Sequence, residues 1–480
     1  MDTFYIKFDP SVPLATERRI LYVFKVFLAI YGHSLTTSED QASIKLIYGP
    51  CTHDGNPRPL DGWFHLPATY KFRPASEAVK SPTATIEIDG HTVPLFHSPY
   101  DAIDQLGEAF EWISLAHEHS VLERDKVGRI EETHNIFNTF NISPLVPYAS
   151  LLLAELAQKI KVWCVDQGIT FPSPEKARCF IIPSHDVDFH YNGPATAILR
   201  FVKNIVIAAL LLRSRSFFKS NLLYLIKSLC GVRVGNYTGR LAARERENGF
   251  SSDFYFLTGG THRRDSNYTL DDALPWVTEV HRHGGNVGLH GSYRSVIEEQ
   301  HLDIEMRALR HAYPFGLGNR QHWLRFDTHE KLYRCIEQSG CEFDSTLGFS
   351  SMPGFRCGVD FAFPPYDFAN ERPCDFLEIP LVIMDSTLTS LSFNEQQRVA
   401  RAITEAKFGQ HTSCISILWH NPIEATAVPA ETNQIYWDLA PKAVNASSKK
   451  NSTGPEWTSG ANFINQMRER YIAAGFTLRT

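Results

Sequence analysis

The chain has 480 residues, of which 43% are hydrophobic, 12% aromatic and 21% charged. Those proportions exclude a disordered, fibrous or coiled-coil protein, and the length calls for two domains, or one large α/β domain with a smaller companion. With 47 basic against 53 acidic residues the net charge is -6, so the chain taken whole is not built to neutralise a phosphate backbone and no nucleic-acid partner is expected.

The first residues, MDTFYIKFDP, carry an acid at position 2 and neither a basic nor a long apolar run, which does not read as a secretory signal. No window approaches the ~18 apolar residues of a spanning helix. Nine cysteines are scattered without a CxxC pair, so neither a zinc ribbon nor a disulfide framework is expected and the reduced cytoplasm is the expected compartment.

In chain order, residues 1–145 read as a mixed α/β domain with no assigned role. Arg18–Tyr31 is apolar-rich and helical, and Ser43–Tyr48 is strand-like. Ala84–Leu95 is a hairpin turning at Asp89-Gly90. Tyr100–His119 is helical by its stripe of Ile103, Leu106, Phe110 and Ile113. Ala149–Val165 leads into a second unit, residues 146–480, where strands and helices alternate. Strands are expected at Cys179–Pro183, Asp253–Leu257, Asn286–Leu289, Phe376–Met384 and Cys414–Trp419. Helices are expected at Leu270–His283 behind a Thr269 cap, Ser295–His311, Thr328–Gln338, Asn394–Phe408 and Ser459–Gly475. Alternation of this kind predicts a parallel sheet, and in this number a barrel. Ala443–Gly454 reads as a solvated loop.

Between Phe189 and Arg244 stand nine Lys or Arg and no Asp or Glu, with the apolar run Ile205–Leu212 inside. This basic insertion (about 189–244) reads as a helical excursion on the barrel. Its stretch 200–233 is also suited to peripheral contact with an anionic membrane face or an anionic glycan.

Four short segments hold the residues suited to chemistry. Ser184-His185-Asp186-Val187-Asp188 follows a strand, and the C-terminal ends of parallel strands are where reacting groups gather. Gly288-Leu289-His290-Gly291-Ser292-Tyr293-Arg294 places a histidine at another strand end, a natural ligand for zinc and its neighbours. Arg320-Gln321-His322-Trp323-Leu324-Arg325 offers a ligand, an anion clamp and a sugar-stacking face. Ile417-Leu418-Trp419-His420-Asn421 ends the last strong strand on a histidine. Taken singly, each reads as readily as a turn, a cap or a structural histidine.

Their joint order resembles the polysaccharide deacetylase superfamily, carbohydrate esterase family 4 and its relatives, over about Arg178 to the C-terminus. Asp344-Ser345-Thr346-Leu347-Gly348, Pro353-Gly354-Phe355-Arg356-Cys357-Gly358 and Leu377-Glu378-Ile379-Pro380-Leu381 resemble a bacterial branch with an extra N-terminal domain. The resemblance implies an irregular (β/α)7-type barrel that uses a divalent metal, most plausibly Zn2+, to hydrolyse N- or O-acetyl groups of a carbohydrate in surface polysaccharide synthesis or remodelling. It implies Asp186 as general base, Asp188 and His290 as metal ligands, Arg320 as the group orienting the base, the Trp323 backbone N–H at the oxyanion and His420 as general acid. Where the family has a second metal histidine this chain has Arg294, which cannot ligate a cation, and His322 is the expected replacement, ahead of His185. No clear match to the family's partner for the acid histidine is present; Asp344, Glu378 and Asp385 are the alternatives. Two other readings stay open: a metal hydrolase of small amides on the same barrel, and a catalytically inactive glycan-binding or scaffold protein. A location at the inner face of the membrane would suit the basic insertion.

Overall fold

The computed structural model describes residues 3–50, 61–74, 77, 81–99, 102–171, 177–188, 237–258, 262, 264–265, 268–298, 300–420, 430–442 and 454–479, together with positions 198, 202, 222, 225–226 and 229–230. The basic insertion, with its proposed contact surface at 200–233, therefore lies largely outside the described residues, as does the expected loop at 443–454 but for Gly454.

The chain starts in a small parallel sheet ordered β2-β1-β3-β4: β1 (Thr3–Phe8), β2 (Ser34–Leu35), β3 (Ile44–Gly49) and β4 (Phe64–Pro67). β1 alternates, burying Phe4 and Ile6 on one face, the signature of a half-covered strand. The helix Leu14–Tyr31 packs this sheet and stops at Gly32, whose φ of 73° lets its N–H turn back to the Ala29 carbonyl. The expected hairpin forms from β5 (Ala84–Ile88) and β6 (His91–Leu95), with Asp89 and Gly90 at φ 49° and 77°. The helix expected over Tyr100–His119 is shorter, Gln105–Ile113, because Asp104 caps it by accepting the Gly107 N–H at 2.8 Å.

From β7 (Cys179–Val187) onward the strands β8 (Asp253–Phe256), β9 (Asn286–Gly291), β10 (Gly318–Gln321) and β11 (Phe343–Asp344) pair in parallel, each with the next. After a short antiparallel pair, β12 (Tyr366–Asp367) and β13 (Arg372–Pro373), come β14 (Leu377–Glu378), paired with β11, and β15 (Leu381–Met384), paired with β16 (Ser413–Leu418), which pairs back to β7. The two ends of the sheet are thus one segment of chain bent at Ile379-Pro380. Ile379 donates to the Asp344 carbonyl and Ser416 to that of Pro380, so the sheet curls into a (β/α)-type barrel. The capping box at Thr269 and Asp272 starts helix Leu270–Arg282 as expected. The helix expected from Ser295 begins only at His301, after Gln300 takes φ 63°. Among the described residues no helix is long and apolar enough to cross a membrane, and the eight described cysteines are unpaired.

Alternation along the staves separates two kinds of residue. Ser184, Asp186, Tyr255, Arg320, Ser345 and Ser416 share the interior, where Arg320 reaches Ser184, Asp186, Ser345 and Ser416. His185 points the other way: its Nδ1 bonds the Trp419 carbonyl and its Nε2 bonds Glu245, both at 2.8 Å. Gly288 leaves room for the Tyr255 ring, which a Cβ there would meet at 2.7 Å. Arg320 in turn lies 4.6 Å from the centre of that ring.

One apolar cluster runs from the N-terminal sheet into the barrel. Polar contacts stitch the same seam: Arg19 to Glu371 at 2.6 and 3.1 Å, Tyr22 to the Pro364 carbonyl, and Glu118 to Arg356 at 2.7 and 2.8 Å.

Candidate metal centre

Four strand ends deliver the site: Asp186 and Asp188 from β7, His290 from β9, Arg320 and His322 from β10 and the turn after it, and His420 just past β16. β10 reads Gly-Asn-Arg-Gln, with no apolar run to announce a strand. It is nevertheless fully buried: inside, Arg320 bonds serines and Asp186, and outside, the Asn319 amide N–H donates to Asp344 at 2.6 Å.

Asp188, His290 and His322 come together. Asp188 Oδ1 lies 3.2 Å from His290 Nε2 and 3.6 Å from His322 Nε2, and one donor atom from each residue falls within 4.8 Å of the others. His185, the alternative ligand, is excluded by its outward bonds. Arg294 neither joins nor fills the cavity; it is exposed and pairs with Glu298 at 3.3 Å. Asp186 sits beside the triad, its Oδ1 held by Arg320 at 3.0 Å and its Oδ2 3.7 Å from His290 Nε2. His420 Nε2 approaches Asp188 Oδ2 at 3.8 Å from across the cavity.

Each imidazole has its remaining nitrogen fixed. His290 Nδ1 donates to the Arg320 carbonyl at 2.8 Å, His322 Nδ1 faces Asp265 Oδ1 at 3.4 Å, and His420 Nδ1 donates to Asp385 Oδ1 at 2.7 Å. That arrangement turns every Nε2 toward the cavity and is how metal-binding histidines are usually held. Of the three candidate partners for His420, Asp385 fills the place, also accepting the His420 backbone N–H at 2.9 Å. Asp344 and Glu378 instead lie behind the strands, bonded to Asn319, Thr346 and Leu347. Asp265 was not legible in the sequence, since nothing in its surroundings marks a strand end.

The charges follow from these neighbours. Burial would raise the Asp188 carboxyl, but the imidazoles of His290, His322 and His420 outweigh it and hold the group well below the usual carboxylate range. His420 would be lowered by burial, yet Asp385, Asp188 and Asp186 push it up to about 10, so it carries a proton at neutral pH. Arg320 is raised by Asp186 and Tyr255 against its burial and keeps its charge.

A divalent cation suits this donor set. Asp188 Oδ1 is buried with no hydrogen-bond partner although two imidazoles aim at it. One carboxylate and two imidazoles are ordinary ligands for zinc and similar ions. Trp323 and Leu324, next along the chain, both take positive φ, 67° and 51°. Leu324 is buried against Leu381, Met384 and Leu418 while the Trp323 side chain is 44% exposed.

No protein-family model and no curated protein matches the chain. A family 4 carbohydrate esterase from Streptomyces lividans in complex with acetate aligns with 58% of this chain and 98% of its own, at 9% identity and a TM-score of 0.27.

Proposed function

We propose that the protein is a divalent-cation-dependent hydrolase, with Zn2+ the best-suited ion, that removes N- or O-acetyl groups from a carbohydrate during synthesis or remodelling of a surface polysaccharide at the cytoplasmic side. The observation that carries this reading is the convergence of Asp188, His290 and His322, flanked by a carboxylate held by arginine and by a protonated histidine held by aspartate.

When bound, the cation supplies a Lewis acid and brings the pKa of a water from 15.7 to about 7. Asp188, His290 and His322 would hold it. Asp186 takes the proton of the attacking water on its Oδ2, because its Oδ1 is engaged by Arg320. Arg320 keeps that carboxylate oriented. His420 presents its Nε2 proton to the leaving amine or alkoxide, while Asp385 fixes the ring from the opposite nitrogen. The Trp323 N–H, set by the left-handed turn, adds a donor to the developing oxyanion, a contribution typically worth about 3 kcal/mol.

The test is purification without chelator, metal analysis, and measurement of acetate released from acetylated chitooligosaccharides beside small amides. One bound divalent cation per chain and acetate release from the sugar support the proposal. Turnover of small amides alone moves it to the other hydrolase reading, and absence of both cation and turnover overturns it.

A further inference from the structure

Building on that reading, we infer that the mouth of the barrel selects an acidic saccharide: Arg264 and Trp323 form a subsite for a sugar bearing a carboxylate or phosphate next to the acyl group. Arg264 is tied to the centre through its neighbour Asp265, which touches His322. Its guanidinium lies 5.1 Å from the Tyr293 ring centre and 5.8 Å from that of Trp323. Its hydrogen bonds go to the Tyr293 hydroxyl at 3.2 Å and the Lys126 carbonyl at 3.4 Å, both neutral.

The acids nearby are already engaged. Asp125 pairs with Arg129 at 2.6 Å, and Glu298 pairs with Arg294. Asp265 serves His322 and the N–H groups of Tyr293 and His262. Arg325, 4.2 Å from the Tyr293 ring centre, donates only to the Val127 and Tyr293 carbonyls. Among the described residues the rim thus holds two guanidinium groups positioned by rings and carbonyls but not neutralised by a carboxylate. In a chain of net charge -6, that is a local reversal of sign. The planar fork of arginine suits carboxylate and phosphate alike.

Trp323 supplies the other half. Its indole is exposed beside His322, with ring centres 5.7 Å apart. A left-handed tryptophan is conformationally costly and persists only where its surroundings impose it. Here Leu324 is buried on one side and Arg129 bonds the Trp323 carbonyl at 3.2 Å on the other. The flat apolar face can carry a pyranose ring while the acid of that ring or the next meets Arg264.

The experiment compares, on the full chain, an acetylated neutral chitooligosaccharide, an acetylated oligogalacturonide and an acetylated phosphate-linked oligosaccharide. We expect at least one anionic substrate to exceed the neutral one tenfold or more in kcat/KM, with an advantage that shrinks as salt rises. Arg264→Gln should remove that advantage chiefly through KM, and Arg264→Lys should restore part of it. The two anionic arms tell carboxylate from phosphate. Calorimetric binding of the deacetylated oligogalacturonide and phosphate-linked oligosaccharide gives a readout independent of turnover: at least one should bind tenfold or more weaker to Arg264→Gln, with unchanged melting temperature confirming an intact fold. Equal treatment of neutral and anionic substrates, or a preference that survives Arg264→Gln, overturns the inference. If no substrate releases acetate but that charge-dependent binding remains, the subsite stands and the hydrolase reading fails.

Discussion

The mouth of the barrel and the seam between barrel and N-terminal sheet are built from the same residue types, yet they are finished differently. At the seam, Glu118 accepts from Arg356 through both oxygens, at 2.8 and 2.7 Å, and from His329 Nε2 at 3.1 Å. Arg356 sends its remaining arm to the Gly348 carbonyl. Each of the three is almost wholly buried, and their valences are closed on one another. At the mouth, Asp188 keeps an oxygen without a hydrogen bond while His290 and His322 turn their Nε2 atoms toward it. A buried charge closed by its own neighbours serves the fold, because leaving any member unpaired is costly. A buried charge left open among convergent donors is prepared for something the chain does not supply.

The comparison is broken most directly by exchanging the roles of the two regions. His420→Gln should lower turnover by about 10²–10⁴-fold and leave the melting temperature nearly unchanged, since Asp385 can still bond an amide. Arg356→Met should do the reverse, costing about 3–5 kcal/mol of stability by stranding Glu118 while the folded fraction keeps its turnover. Paired urea unfolding and acetate-release assays read both. Equal destabilisation by the two substitutions would show that the mouth is structural as well.

Acid sharpens the same contrast. His329 is held neutral chiefly by burial, which with His119 and Arg356 brings it down to about 4 despite Glu118. Because its folded value lies below the ordinary 6.5, protons bind the unfolded chain better. The contribution is therefore complete above about pH 6.5 and is lost as the pH falls toward 4, an effect of order 3 kcal/mol. Urea midpoints between pH 7 and pH 4.5 should fall less steeply in His329→Gln than in the natural protein.

Much of the mouth was legible because strand ends and side-chain alternation are local rules. Asp186, Asp188, His290 and His420 each follow an apolar run, so their convergence followed once the strands were parallel. β10 was hidden: its polar Gly-Asn-Arg-Gln is buried by partners on β7, β11 and β16, contacts between residues far apart in the chain. β1 was hidden for another reason: its short alternating run is closed by Asp9-Pro10-Ser11 but has no turn signal before it at the chain start. The strand read as Phe376–Met384 divides at Ile379-Pro380, where it leaves β11 for β16. Asp385 was one of three candidates, and only the bond to His420 separates it from Asp344 and Glu378. The seam network was illegible altogether, because nothing local in Glu118, His329 or Arg356 states that they meet.

The open valence at the mouth also predicts a response to metal that the seam lacks. A divalent cation at one hundred times its dissociation constant should stabilise the natural protein by about 2.7 kcal/mol. Asp188→Ala should abolish the gain, whereas Arg356→Met should retain it on a lowered baseline. Melting curves with zinc or manganese added to chelator-treated protein measure this, and an equal gain in Asp188→Ala would place the cation elsewhere.

The finest test concerns how His322 is oriented. The Nδ1 of His290 is held by a main-chain carbonyl, which no side-chain substitution removes, but that of His322 depends on the Asp265 carboxylate. Asp265→Asn preserves the shape and can still accept the Tyr293 N–H, which now reaches Oδ1 at 2.7 Å. It replaces a charged acceptor with a neutral one, so His322 is less firmly turned toward Asp188. Second-layer changes of this kind typically weaken a metal about 10–100-fold, or about 1.4–2.7 kcal/mol. Arg294→Ala is the matched control, since its partner Glu298 is exposed and neither reaches the triad. Calorimetric cation titrations should therefore separate the two variants by at least tenfold. Indistinguishable affinities would mean that His322 does not bind the ion, leaving Asp188 and His290 too few to hold it.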